Sequence, residues 1–362
     1  MTQRGLRTLA GLFVLALPCI VGLGTADPVA FADPGLESAV LRAVGLAEGI
    51  VTKDEALSVG TVTAVDAGIV DLAGIEYCLN LSHLNLTRNQ VEDLSPLAGL
   101  TDLQFLSVWG NDVIDLTPLA DMGRLLVLWA DYNMIADLSA LAGLSRLGVL
   151  YLRGNRIEDL SPLAGLSDLL ILDVSENEIA DLAPLRTLTQ LRKLRVFGND
   201  YDSIEPIRGL AELNEVAIGY LSEEPRELDL SPLLALPKLT RLLVSGVELG
   251  DLSTFAPLAK LVELHLDFAG IRDVAPLAVL PDLRVLGLNY NQIEDISPLL
   301  DFPALTHVWL IGNPLDLAEG SSASRTIAAL EEEGIKVGLV FEPPEQQGPT
   351  GPDVKYTPGM GY

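Results

Sequence analysis

The chain has 362 residues and a formal net charge of −27. A negative field of that size repels nucleic acid and anionic membrane surfaces and steers cationic partners, so neither nucleic-acid binding nor stable membrane insertion is expected. Its two cysteines, Cys19 and Cys78, supply no disulfide framework, and stability must come from packing.

At the N-terminus, Arg4 and Arg7 precede an apolar run from Leu9 to Leu23, and Gly24-Thr25-Ala26 follows as a small-residue cleavage site. That order is the pattern of a secretory signal peptide over residues 1–26, with cleavage expected after Ala26. Pro18 directly before Cys19 disfavours lipidation there, because such signals want a small residue. Removing Arg4 and Arg7 makes the mature chain two charges more negative, and the expected destination is secreted, periplasmic or cell-surface.

Residues 27–58 read as a helical N-terminal cap. Asp33-Pro34 opens a helix through Leu36, Val40 and Leu41, and Thr52 with Glu55 forms a capping box for a second, shorter one. From Val59 a unit of 22 residues then repeats about twelve times, to residue 314. Its central apolar residue falls at Val62, Leu84, Leu106, Leu128, Leu150, Leu172, Leu194, Val216, Leu242, Leu264, Leu286 and Val308, with one 26-residue step between Val216 and Leu242. Such a period predicts a solenoid.

Each unit spells out its own local structure. The L-x-L segment alternates inward and outward residues, so it forms a short strand, and successive coils pair these strands in a parallel sheet. Asparagines at positions such as Asn89, Asn111, Asn133, Asn155, Asn177, Asn199, Asn291 and Asn313 stand where the chain leaves the strand and can satisfy its buried backbone groups. In D-L-S-P-L, Ser95, Ser161, Ser231 and Ser297 are expected at the N-cap, with Pro96, Pro162, Pro232 and Pro298 at the first helical position of a 3₁₀ turn on the convex side. The preceding aspartates, including Asp93, Asp115 and Asp159, sit where the turn's dipole favours negative charge; a stacked row of carboxylates also suggests Ca²⁺, but no calcium loop accompanies it. The ladder lapses at Leu221, Val247 and Ala269, beside four extra residues in Ser222–Glu227, which read either as decayed repeats or as a local reshaping of the face.

Beyond the repeats, residues 315–341 read as a C-terminal cap: an amphipathic helix from Ser324 to Glu333 stopped by Gly334, then a closing strand. The Pro/Gly-rich tail 342–362 is expected to be disordered. Cys78, in the first coil, reads as a small buried hydrophobe. The fold class expected is α/β, a leucine-rich-repeat solenoid with a parallel β-sheet on the concave face, short 3₁₀ turns on the convex face and a helical N-terminal cap.

These units, with D-P-G-L-E-S-A-V-L-R-A-V (Asp33 to Val44) and L-A-G-I-E-Y (Leu72 to Tyr77), resemble the internalin family of bacterial leucine-rich-repeat proteins over roughly residues 31–340. The resemblance implies the fold and an exported protein of the recognition type. It implies no particular ligand, because members bind different partners.

Side chains flanking the strand leucines point onto the concave sheet, and all three tryptophans fall there. The candidate ligand-binding residues are Phe105, Trp109, Trp129, Tyr132, Tyr151 and Phe197, with Arg153, Asp173, Lys193 and Arg195 as a polar rim. Trp and Tyr in water suggest an interface, the alternative being a cross-strand aromatic ladder. Tyr220, Phe268, Tyr290 and Trp309 share the same face. His83, His265 and His307 also lie there but are too far apart to hold one metal ion, and no metal or cofactor is expected. Without a paired nucleophile and base or a phosphate loop, catalysis is not expected. The partner expected is a protein, with a glycan as the alternative and a non-catalytic spacer as a third reading; a monomer is expected.

Overall fold

The computed structural model describes residues 27–222 and 224–340. The expected signal peptide, its cleavage site, Cys19, the tail, Glu223 of the insertion and Phe341 lie outside the described residues. Among those described, thirteen strands form one parallel sheet whose order follows the chain. They run from β1 (Thr61–Thr63), β2 (His83–Asn85), β3 (Phe105–Ser107) and β4 (Val127–Trp129) through β5 (Val149–Tyr151), β6 (Ile171–Asp173) and β7 (Lys193–Arg195). Then come β8 (Glu215–Gly219), β9 (Arg241–Ser245), β10 (Glu263–Asp267), β11 (Val285–Gly287), β12 (His307–Trp309) and β13 (Lys336–Gly338). The twelve repeat centres face one another in register, from Val62 opposite Leu84 to Leu286 opposite Val308. This is the leucine-rich-repeat solenoid that the period predicts, and neighbouring coils stand about 4.8 Å apart.

One continuous core runs the length of the sheet's inner side, from Leu36 in the cap to Leu330 near the other end. Each leucine withdrawn from water contributes about 1.5–3 kcal/mol, but only when the next coil covers it. Cys78 is fully buried in the first coil, and burial pushes its thiol up to about 11.

The asparagines tie each coil to the one before. Nδ2 of Asn155 donates to the carbonyls of Ala130 and Leu152, both at 2.9 Å, and its Oδ1 accepts from the amide of Ile135 at 3.0 Å. The same pattern serves Asn111, Asn133, Asn177 and Asn199. Where the ladder lapses, the backbone pairs with itself instead: β8, β9 and β10 extend to five residues, while most other strands have three. In that stretch the phenol of Tyr201 accepts from the amide of Gly219, and Tyr220 donates to the carbonyl of Tyr201. Arg226, from the insertion, sits 4.0 Å over the Tyr220 ring. Tyr220 is therefore a core residue and not part of the concave surface, because its hydroxyl completes that buried network.

On the convex side, the 3₁₀ turns are present, but their caps differ from the expected ones. Ser95 and Pro96 are the first two residues of the helical span, and Leu94 precedes it without a side-chain cap. The cap is Asp93, whose Oδ1 accepts from the Ser95 amide at 2.7 Å and whose Oδ2 accepts from the Ser95 hydroxyl at 2.8 Å. The aspartate two residues upstream reaches this amide in a tight Asx turn, which leaves serine as the donor. The same bonds hold Asp115, Asp159, Asp229, Asp251 and Asp295 below the usual carboxylate range.

Both ends of the core are covered. Helix α1 (Pro34–Ala43) packs on β1, and Asp33 caps it through the amides of Gly35 and Leu36 while its second oxygen accepts from Val70 in the first coil. Helix α2 (Lys53–Ala56) carries the Thr52–Glu55 capping box. At the far end, α3 (Ser322–Glu332) buries Leu330, and β13 closes the sheet against β12. This helix starts at Ser322 because Ser321 accepts from the Ser324 amide, placing the cap three residues before the predicted start.

Replacing Asn155 with Ala leaves the buried amide of Ile135 without its acceptor and removes one of the two side-chain donors from each of the Ala130 and Leu152 carbonyls, which keep Asn133 and Asn177. The expected loss is about 3 kcal/mol in equilibrium denaturation, with the midpoint shifted and the transition still cooperative.

Candidate functional site

Two rows of outward side chains line the concave sheet, one on each side of the repeat centres. The row after the centres reads Ser107, Trp129, Tyr151, Asp173, Arg195, Ala217, Leu243, His265, Gly287 and Trp309, each opposite the next. The row before them reads His83, Phe105, Val127, Val149, Ile171, Lys193, Glu215, Arg241 and Glu263.

The aromatic candidates are brought together as two groups. Phe105 meets Trp129 edge to face at 4.9 Å and 81°, and Trp129 meets Tyr151 at 6.5 Å and 85°. Trp109 and Tyr132 form a separate edge-to-face pair at 5.6 Å. Burial differs sharply among them. Tyr132 is 41% exposed, whereas Tyr151 is 6% and Phe197 5% exposed, so those two do not stand in water as the sequence suggested. Neighbouring coils only about 4.8 Å apart pack large rings against one another. Tyr132 holds a left-handed backbone conformation (φ 53°), and its ring lies over Gly154 one coil on, where a Cβ would come within 2.7 Å of it.

The basic candidates are engaged within the face. Arg195 lies between Asp173, at 3.7 Å, and Glu215, whose Oε1 accepts from its Nε at 3.0 Å. Lys193 and Arg241 approach the same Glu215 at 3.5 and 3.1 Å, and Arg241 continues to Glu263, which pairs with His265. Burial opposes the charge on Glu215, but Arg195, Lys193 and Arg241 outweigh it and hold the carboxyl below its ordinary value. Arg153 pairs with Glu176. A charge ribbon thus crosses the face from Asp173 to His265, and each member already has an opposite neighbour.

Sequence reasoning missed two parts of this face. Val127, Val149 and Ile171 are partly exposed and continue the row of Phe105, forming an apolar strip beside Trp129. The signal was available as apolar residues at the outward position of three successive repeats. The second part is the burial of the acids three residues beyond the centres, Asp131 and Asp267. Asp131 accepts from the amide of Arg153 at 2.8 Å, and burial, reinforced by Asp173, pushes its carboxyl up to about 7. Period alone does not separate these acids from their exposed neighbours.

A family model, Leucine Rich repeats (2 copies), matches residues 281–320. No curated protein matches. Among solved structures, an internalin, InlF from Listeria monocytogenes, aligns with a TM-score of 0.75 and 29% identity over 88% of this chain and 92% of its own. The chain is an internalin-like bacterial leucine-rich-repeat protein. A Leptospira interrogans leucine-rich-repeat protein (TM-score 0.59, 20% identity, 74% of this chain and 68% of that one) shares the fold. So does the plant peptide hormone receptor RGFR1 in complex with RGF2 (TM-score 0.51, 20% identity, 67% and 41%).

In this internalin-like solenoid, the Asp131 carboxyl binds its proton more tightly when folded than when unfolded. Its charge therefore destabilises the fold above pH 7, and that cost is relieved as pH falls through 7 toward the ordinary carboxylate value. Asp131→Asn keeps an acceptor for the Arg153 amide and removes the charge. Thermal melts should show the variant more stable than the parent by roughly 1 kcal/mol or more at pH 8, with the gain shrinking as pH falls below 7 and gone only at about pH 3, below the ordinary carboxylate value.

Proposed function

We propose that the protein is an exported, non-catalytic recognition molecule that binds another protein on its concave sheet. The observation that carries this reading is the strip Phe105, Val127, Val149 and Ile171, half-buried and contiguous along the outward row, with Trp129 beside it. A monomeric solenoid needs no apolar strip on its outward face, whereas the centre of an interface does. Trp109 and Tyr132 flank the strip as aromatic contacts. Arg153, Asp173, Lys193 and Arg195 form its polar border, Tyr151 packs against Trp129, and Phe197 lies farther along the face.

The thirteen strands make a face roughly 60 Å long, which suits a surface of standard interface size better than a small molecule. The plant receptor of the same fold is in complex with RGF2, which illustrates a ligand carried by such a solenoid. Export rests on the sequence pattern of residues 1–26. No helix among the described residues is long and apolar enough to cross a membrane.

The test is capture of a partner from candidate host and bacterial surface extracts by the chain beginning at Asp27, with Trp109→Ala and Val149→Glu variants alongside. Both positions are partly exposed, so melting should change by less than about 1 kcal/mol. Affinity for the captured protein should fall by about 2 kcal/mol or more in each. Capture unchanged in both variants, or binding confined to a glycan array, contradicts the reading.

A further inference from the structure

We propose that a hollow on the C-terminal half of the concave sheet is a subsite for a primary ammonium group on an alkyl stem, the tip of a lysine side chain, held by the carboxylate of Asp267. This deepens the protein-binding reading and rests on it for the source of the lysine.

The hollow is lined by Phe197, Ala217, Leu243, Ser245, His265 and Asp267, and its cavity volume is about 10 Å³, room for one water-sized group at its base. It exists because the positions three beyond the repeat centres carry small residues between two large ones, Phe197 and Asp267. They are Gly219 and Ser245, and a Cβ on Gly219 would approach the Ser245 carbonyl oxygen to 2.0 Å. Asp267 is 1% exposed. Its Oδ1 accepts from the amide of Asn289 at 2.8 Å, and its Oδ2 is buried with no hydrogen-bond partner.

The next coil shows what that second oxygen is not for. Asn289 occupies the equivalent place and does the same backbone work with a neutral amide, accepting from the amide of Ile311 at 3.1 Å. The coil-to-coil bond therefore needs one oxygen and no charge. The atom that distinguishes Asp267 from Asn289 is the one without a partner. His265 does not supply one, since its Nε2 faces Glu263 at 3.0 Å and its Nδ1 makes no bond to the Asp267 carboxylate.

A buried carboxylate oxygen without a donor is costly, and a cationic donor supplied by a ligand removes that cost. An ammonium is about the size of a water molecule, and the apolar walls of Phe197, Ala217 and Leu243 suit the methylene stem behind it. A planar guanidinium is too wide for the base of the hollow. The Ser245 hydroxyl, in the same lining, can accept a second N–H.

The probe is Nα-acetyl-lysine N-methylamide, titrated into the chain beginning at Asp27 and followed by amide chemical shifts. Saturable shifts are expected at Gly219, Ser245 and Asn289. They should weaken at least tenfold in Asp267→Asn, which keeps the Asn289 bond, and be absent for the norleucine analogue, which lacks the charge. Ala217→Met, which fills the hollow from its wall, should abolish them independently, and melts of both variants establish that they fold. Shifts unchanged in Asp267→Asn, an equal response to norleucine, no saturable shift, or a tighter response to the stemless glycine N-methylamide would each overturn the proposal. None of these readouts requires the unidentified partner. Their failure leaves the recognition reading standing, and loss of capture by the Val149 variant does not depend on them.

Discussion

A single asparagine amide per coil, shared with the coil before it, is the interaction on which the rest of this solenoid depends. A chain that turns out of a strand every 22 residues buries carbonyls and amides that no strand or helix can pair. The amide of Asn155 meets three of them at once, two as a donor and one as an acceptor. Because the bonds reach from one coil into its neighbour, they set the spacing and register of the sheet as well as closing the turn. The leucines supply most of the stabilising free energy, but they would be satisfied by many collapsed arrangements. The asparagines select this one.

That spacing also decides what the concave face can be. Rings and charges placed in successive coils stand close enough to consume one another, so Tyr151 packs on Trp129 and Glu215 gathers Arg195, Lys193 and Arg241. What remains available to a partner is whatever its neighbours leave unsatisfied: an apolar strip at one end and a buried carboxylate oxygen at the other. Where the asparagine is missing, the longer strands β8 to β10 replace its bonds with backbone pairing. The hollow beside Asp267 lies in that stretch, so the lapse in the ladder and the change in the face coincide.

Fold and cap were legible in the sequence because period, capping residues and strand alternation all act locally. The repeat centres from Val62 to Val308 fall in register as counted. Thr52 with Glu55 and Asp33 before Pro34 cap the helices they were expected to cap. The convex turn was misjudged by two residues, since Ser95 and Asp93 both suit a cap and only geometry shows that the aspartate reaches the amide. The concave face was legible by position but not by exposure. How far an outward residue of a sheet is exposed depends on the size of its neighbours one coil to either side, on pairs such as Tyr132 over Gly154 and not on any one residue. Val149 looked ordinary and is partly exposed; Phe197 looked like a surface ring and is buried.

Hydrogen exchange of individual amides tests the central role of the ladder most directly. The amides of Val91, Val113, Ile135, Ile157 and Ile179 each donate to an asparagine Oδ1 of the next coil at 3.0 Å. The equivalent amide of Leu249, where Ala269 replaces the asparagine, reaches only a backbone carbonyl at 3.3 Å. The five should share one slow rate, with Leu249 exchanging at least about tenfold faster. Protection of Leu249 equal to theirs would mean that stacking alone holds the coils, and the asparagines would lose the place given to them here.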